Sequence, residues 1–567
     1  MRKLLLFVIL GIFYAGMVFA QTDSEMVNNA ILYGDCATLY EYIQRDKETS
    51  DSKLVTSATN ALKKYTSIDS STAKYRTDKM DQKVRRVPKE LMDKIFIDPE
   101  KLLPDVVLFL TSGVSDPFLK VKIIHDWICD NIAYDTEMYF FTRRISNQDY
   151  ISVLKKKKAV CSGYSSLFNK MCSLAGIESI GISGYSKGFG YAGRIGTQTD
   201  HEWNAVHIGT KWYLVDVTWD AGPVETKTFV KRYSTAWLFL DSRPFLYSHL
   251  PEKKQYQYYA PVLSSDDFMR EAYIPGNFFK YGLSLADEIP EYNNSISDEF
   301  TFDIGMKISN VSISSQLTTQ NQQNIQSFTW SERNGLITSL KFDVPDTNNY
   351  KGFIFARFNN IEKIQERVDA EIFERDWLPR AAALFNVQNA KDRKITDKEL
   401  EYFKASYFKV TENKCYYYKE DQFDTLRYNA VLKIHKLLEI PTDMLESVLD
   451  FNIKASPGYS GFGKGILKYP DTYSLYNQIS NTQLLSPLTG TIKAGTEQLF
   501  VLSTKEFSTF AIIINGEWNI FKKNARTGNF EFTLNVPSDT ETIIVSGVKT
   551  TGNRSTAQGL VRYNVIK

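Results

Sequence analysis

Cys161, His201 and Asp216 are residues of the types that combine in nucleophilic thiol chemistry. A thiolate attacks, an imidazole beside it moves the proton, and a carboxylate orients the imidazole. Cys161 lies in KKKKAVCSGYSSLFNKMCSLAG, residues 155–176. A helical period starts at or near it: Tyr164, Leu167, Phe168, Met171, Cys172, Leu174 and Ala175 recur at i, i+3, i+4 and i+7. Gly176 suits the position just past the helix end. At the start of a helix, unpaired N–H groups and the helix dipole favour a thiolate. Cys172 falls deep in the apolar stripe, about 16 Å further on at ~1.5 Å per residue. A disulfide needs Cα atoms within ~7 Å, so the two cysteines do not pair and Cys172 is expected in the core. Lys155 to Lys158 read as a solvated basic turn, with a field favouring the thiolate as the lesser reading.

The histidine and the aspartate need an element that brings them together. HEWNAVHIGTKWYLVDVTWD alternates like two strands around Gly209-Thr210. A two-residue turn there, with glycine first as in type II′, sets Trp203 opposite Asp216 and His201 opposite Thr218. His201 and Asp216 then share a face one diagonal step apart, within side-chain reach. A three-residue turn would send Asp216 to the other face. His207 shares the face but lies near the turn, further from Asp216, so His201 is preferred. Asp220 and Glu202 are less well placed, and Asp216, set between apolar residues, needs a partner.

The remaining elements frame this region. MRKLLLFVILGIFYAGMVFA, residues 1–20, reads as a signal peptide: a basic start, an apolar stretch, and Val18-Phe19-Ala20 as cleavage site. No cysteine follows Ala20, so a lipoprotein anchor is not expected, and no later run approaches the ~20 apolar residues of a span. The expected location is secreted, periplasmic or cell-surface. Without Arg2 and Lys3 the net charge falls from +2 to zero, which argues against nucleic acid as a partner. Five cysteines (Cys36, Cys129, Cys161, Cys172 and Cys415) leave at least one free thiol and do not make a disulfide scaffold. No CxxC or HxxxH spacing suggests a metal; none is expected, nor any cofactor.

Residues 21–95 read as a helical lead-in followed by a lysine-rich linker around Tyr75 to Lys89. A strong helix follows in SDPFLKVKIIHDWICDNIAYD, capped by Ser115 or Asp116 with Pro117 in its first turn. His125 and Cys129 lie four apart on it without further metal ligands in view. Short alternating segments at 286–365 suggest a β-sandwich. Residues 366–455 read as helical, with Thr396 and Glu399 at capping-box spacing and His435 as a helix residue. Residues 456–567 return to strands, with Asn515-Gly516 as a hairpin signal.

AVCSGYSSLFNKMCSLAGI followed by HEWNAVHIGTKWYLVDVTWDAG resembles the transglutaminase-like core of the papain-type cysteine fold. There the cysteine opens a helix, and the histidine and aspartate lie on following strands. HDWICDNIAYD is similar to the helix preceding that core. GYSKG, AWLFLDSRPFLYSHLPEKKQYQYYAP and PGNFFKYGL resemble the kyphoscoliosis peptidase branch. SPLTGTIKAGTEQLFVLS and IIINGEW resemble β modules that accompany this core in secreted bacterial relatives. The resemblance implies an α+β chain whose papain-like core spans 96–285, followed by immunoglobulin-like sandwich modules separated by a helical segment. It implies Cys161 as nucleophile, His201 as general base and Asp216 as orienting acid, acting on a protein or peptide amide through a thioester. Water as acceptor gives a peptidase or deamidase, and an amine gives a transglutaminase. The other reading is a protein-binding scaffold that keeps the fold without turnover. The oxyanion side chain and the oligomeric state are left open.

Overall fold

A computed structural model of the protein describes residues 22–567, except 46–51, 77–78, 143–145, 286–289, 308–310, 359–445, 460, 463–465, 474–475, 477–481, 515 and 552–553. The expected signal peptide, Cys415, His435 and the capping box at Thr396 lie outside the described residues. The chain divides between Phe268 and Met269 into two compact units.

In the first unit, helices Asp23–Tyr33, Cys36–Arg45 and Ser52–Thr66 share a small core of Val27, Ala30, Leu39, Tyr42, Ala58 and Ala61. The stretch expected as a linker is instead packed. Tyr75, Val84 and Val87 enter the main core, and the Asp81 N–H donates to Asp126 Oδ2 at 2.8 Å. Its few apolar residues, spaced among lysines, hide this burial from composition alone.

Helix Pro117–Asn131 starts as its residues dictate, with Asp116 accepting from the N–H groups of Phe118 and Leu119. It is buried from Val121 to Cys129, so it is a core helix rather than an amphipathic surface one. Helix Cys161–Leu174 lies in the same core and buries Tyr164, Leu167, Phe168, Met171 and Cys172. Leu174, expected on the buried stripe, is 36% exposed at the end of the last turn. Gly163 in the first turn sits where its neighbours leave no room for a side chain. A Cβ there would stand 2.8 Å from Ala159 Cβ and Val153 Cγ2.

The core sheet comprises β1 (Glu178–Ser186), β2 (His201–Ile208), β3 (Lys211–Val215), β4 (Leu238–Leu240) and β5 (His249–Pro251), in the order β4-β3-β2-β1-β5. All neighbours are antiparallel. The β2–β3 register is the expected one, with Ile208 opposite Lys211 and Asn204 opposite Val215, and Gly209 takes φ +67°. β3 does not continue, however. It stops at Val215, and residues 217–221, expected as strand, form a short helix.

The second unit holds two sandwiches of paired sheets, and residues 269–285, expected with the core, belong to this unit. The first sandwich runs from Leu283 to Phe358 and is completed by strand Glu446–Ala455, which pairs with Asn349–Phe358. Of the expected helical segment, 366–445 lies outside the described residues, and 446–455 is a strand with buried residues alternating along it. The second sandwich spans strands from Asp471 to Ile566, with Thr509–Ile514 and Glu517–Ile520 paired as a hairpin about Gly516.

Phe168 is fully buried and Leu174 is not, so their truncations should differ sharply. Phe168→Ala should cost about 3–5 kcal/mol, and Leu174→Ala less than about 1 kcal/mol. Urea-dependent alkylation of the buried Cys172 measures both; similar losses would contradict this packing.

Candidate active site

Cys161 is the first residue of its helix, and the cap position, Val160, has no side chain to accept from the first turn. The Val160 N–H is held by Gln148 Oε1 at 3.0 Å, which fixes the chain just ahead of the cysteine. Cys161 is half-buried, whereas Cys36, Cys129 and Cys172 are buried, and all four thiols are free. Burial pushes the Cys172 thiol up, so it stays neutral and inert. Lys155 to Lys158 are all exposed.

His201 opens β2. Its Nε2 donates to Asp216 Oδ2 at 2.8 Å, and Cys161 lies close enough to the ring to act on it electrostatically. Asp216 is fully buried and caps the short helix Val217–Ala221: its Oδ1 accepts from Thr218 N–H at 2.9 Å and Trp219 N–H at 3.1 Å. The contact expected from a continued strand is therefore made by a helix cap. A carboxylate buried there must find donors, and the first turn of a helix supplies two that are otherwise unpaired. The Trp219 ring stacks on His201, with centroids 5.3 Å apart.

A residue that the spacing did not single out completes the group. His249, on β5, donates from Nε2 to the same Asp216 Oδ2 at 3.2 Å, with its Nδ1 2.9 Å from Ser248 Oγ. β5 reaches this place by pairing with β1, a contact far along the chain that no local pattern announces. His207 is elsewhere, roughly 20 Å along β2 at ~3.3 Å per residue. It stacks on Trp212 and bonds Glu178 Oε2. Asp220 faces His125 Nε2 at 3.1 Å, and the remaining His125 nitrogen bonds Asp126 Oδ1 at 3.0 Å. Lys122 Nζ lies 2.5 Å from Asp126 Oδ2, so His125, beside Cys129, belongs to a buried ionic network.

The electrostatics of the first group follow from burial and charge. Burial disfavours a charged His201, but the Asp216 charge and hydrogen bond, then Cys161, outweigh it and raise its pKa to about 10. Burial would raise Asp216, yet the His201 charge and the two histidine hydrogen bonds hold it well below the usual carboxylate range. Burial lowers His249 to about 4, so it is neutral and serves as an N–H donor. At neutral pH the arrangement is an imidazolium beside Cys161 and against a carboxylate, with a second, neutral imidazole behind. His201, Asp216 and His249 also offer ligand atoms within 4.8 Å of one another. A cation there would need both Nε2 atoms free of protons, and the hold of His201 on its proton opposes that.

Residues 105–217 match the family model described as the transglutaminase-like superfamily. The kyphoscoliosis peptidase of Mus musculus is 33% identical over 188 residues, which cover 32% of this chain and 28% of that protein. The Lim and transglutaminase domain protein ltd-1 of Caenorhabditis elegans is 29% identical over 198 residues (32% and 27%). Hillarin of Drosophila melanogaster is 25% identical over 218 residues (35% and 26%). The chain thus spans little more than a quarter of the length of each of these relatives. The core is transglutaminase-like and similar to the kyphoscoliosis peptidase branch.

His201 keeps a proton that an ordinary histidine loses near 6.5. The stability this contributes is complete below about 6.5 and is lost as pH rises through about 10. His249 acts in the opposite sense: the unfolded chain binds a proton that the fold refuses, so stability falls as pH drops from about 6.5 toward 4. In Asp216→Asn the charge that supports the His201 proton is gone, and the ring should titrate well below 10 in a histidine NMR titration. A midpoint that stays near 10 would contradict this.

Proposed function

We propose that the protein is an exported thiol acyl-transfer enzyme acting on peptide or glutamine amides, with Cys161 as nucleophile, His201 as proton carrier and Asp216 as orienting acid. The observation that carries the reading is that a buried imidazole held by the buried Asp216 carboxylate lies within electrostatic reach of the half-buried Cys161, the first residue of its helix. Export rests on the basic, apolar and small-residue order of residues 1–20. No helix among the described residues is long and apolar enough to cross a membrane.

The reaction follows from the groups present. The Cys161 thiolate adds to the amide carbonyl, forming a C–S bond. The uncapped N–H of Cys161 at the helix start stabilises the oxyanion. The His201 imidazolium gives its proton to the leaving nitrogen as the C–N bond breaks, leaving a thioester. His201, now neutral, takes a proton from water or an amine, which attacks the thioester and breaks the C–S bond. Asp216, already bonded to three other donors, keeps Nε2 of His201 fixed and leaves the opposite side of the ring to the sulfur.

Iodoacetamide labelling at pH 6.5 tests the reading. Cys161 should react well ahead of the three buried described cysteines, and Cys161→Ala should remove the fast phase. His201→Ala should slow it by about 10–100-fold, since the imidazolium stabilises the thiolate. Labelling of Cys161 at the rate of an ordinary thiol, indifferent to His201, would leave the scaffold reading in its place.

A further inference from the structure

Between the core helix Pro117–Asn131 and the cysteine helix, Ile132, Val153, Leu154 and Ala159 join the core, but the aromatic stretch Tyr139 to Phe141 does not. Strand Ala133–Tyr134 pairs with Lys158–Ala159, and the Asp135 N–H donates to Ala159 O at 2.9 Å. This places Tyr134 beside the chain that leads directly into Cys161. Helix Thr136–Phe141 follows, capped by Asp135, and none of its residues is buried.

Its sequence, TEMYFF, is apolar enough to be drawn inward, yet Tyr139 is 40% exposed and Phe141 71%. Large side chains left partly in water forgo favourable burial. The rings form a continuous series instead. Tyr134 meets Tyr139 at 5.8 Å, Tyr139 meets Phe140 at 4.9 Å, and Phe140 meets Phe189 at 5.1 Å. Phe189 is 52% exposed and comes from the loop that runs into His201, so the series joins the chain segments before both Cys161 and His201. Both Tyr134 and Tyr139 lie within electrostatic range of Cys161.

The far end is also organised. Thr226 and Lys227 form the turn of a small hairpin at φ +49° and +63°, a left-handed conformation unfavourable for a β-branched threonine. The turn carries Lys227 Nζ to 5.8 Å from the rings of Phe140 and Phe141. Backbone strain of this kind marks a position fixed by its surroundings.

We propose that Tyr139, Phe140 and Phe189 form the acyl-donor subsite, which selects a polypeptide bearing an aromatic or large aliphatic side chain beside the amide that Cys161 attacks. The inference rests on the thiol acyl-transfer reading for its chemistry, but not for its binding. The occupant is a peptide because Tyr134, at one end of the series, pairs beside Ala159, two residues before Cys161, and Phe189, at the other, lies on the loop that leads into His201, so a chain presented to these two residues runs along the rings. Offset and edge-on ring contacts of the kind already made among these residues would extend to a substrate ring.

Binding to the full chain carrying Cys161→Ala separates the two proposals, because it needs no turnover. Two fluorescent glutamine-containing peptides, alike except for Phe or Ala beside the glutamine, are compared by anisotropy. The Phe peptide should bind at least about 10-fold more tightly. The pair Phe140→Ala and Phe189→Ala should reduce the preference to within about 3-fold, and Phe140→Leu with Phe189→Leu should restore part of it. Equal binding of the two peptides, or a preference that survives both alanines, would overturn the subsite. So would a concentration-dependent dimer in sedimentation that dissociates in the alanine variant, since a second copy would then be the occupant. Tight, selective binding without turnover in the unmodified chain keeps the subsite and rejects the enzyme.

Discussion

The buried carboxylate of Asp216 is the constraint around which this core is arranged. An ionised carboxylate without water costs far more than a fold can spare unless each oxygen is matched. Here Oδ1 takes two backbone N–H groups and Oδ2 takes two imidazoles. Each donor belongs to a different demand of the fold. The backbone pair ends β3 and begins a helix, His201 fixes the start of β2, and His249 fixes β5. One charge therefore sets where three strands begin or end and which way the imidazole beside Cys161 faces.

A second buried ionic group stands behind the first. Asp220 lies one helical turn after Asp216 and joins His125, which with Lys122 and Tyr233 surrounds Asp126. Asp220 also accepts from the Trp237 N–H, and the Trp237 carbonyl accepts from the Asp216 N–H. Removing a partner from such a group leaves an unpaired charge inside the protein, so the two networks constrain the same short helix. The cysteine side is held by packing instead. Gly163 lets the helix sit against Ala159 and Val153, and Gln148 fixes the N–H of Val160. Position at the thiol thus comes from contact, and orientation at the imidazole from charge.

Much of this was legible from local pattern. The period of the cysteine helix, the caps at Asp116 and Pro117, and the Gly209-Thr210 register rest on residues close in sequence, where geometry is nearly fixed by residue type. The reading failed where long-range contacts override local preference. WYLVDVTWD alternates as a strand would, yet the chain turns helical at Asp216 because a buried carboxylate captured its N–H groups. ESVLDFNIKA was placed in a helical segment, but it completes a sheet by pairing with Asn349–Phe358, about a hundred residues earlier.

The sequence by itself determined which residue types are present for thiol chemistry, that Cys161 opens a helix and Cys172 is buried within it, and that His201 and Asp216 come within reach. Those follow from periods of a few residues, over which covalent geometry leaves little choice. Only the tertiary structure decided that Asp216 acts as a helix cap, that His249 shares its oxygen, and that Phe189 meets Tyr139 and Phe140 across the chain. Each depends on strands and loops that pair across long stretches of chain, and such pairing is settled by the packing of the whole core rather than by any one segment.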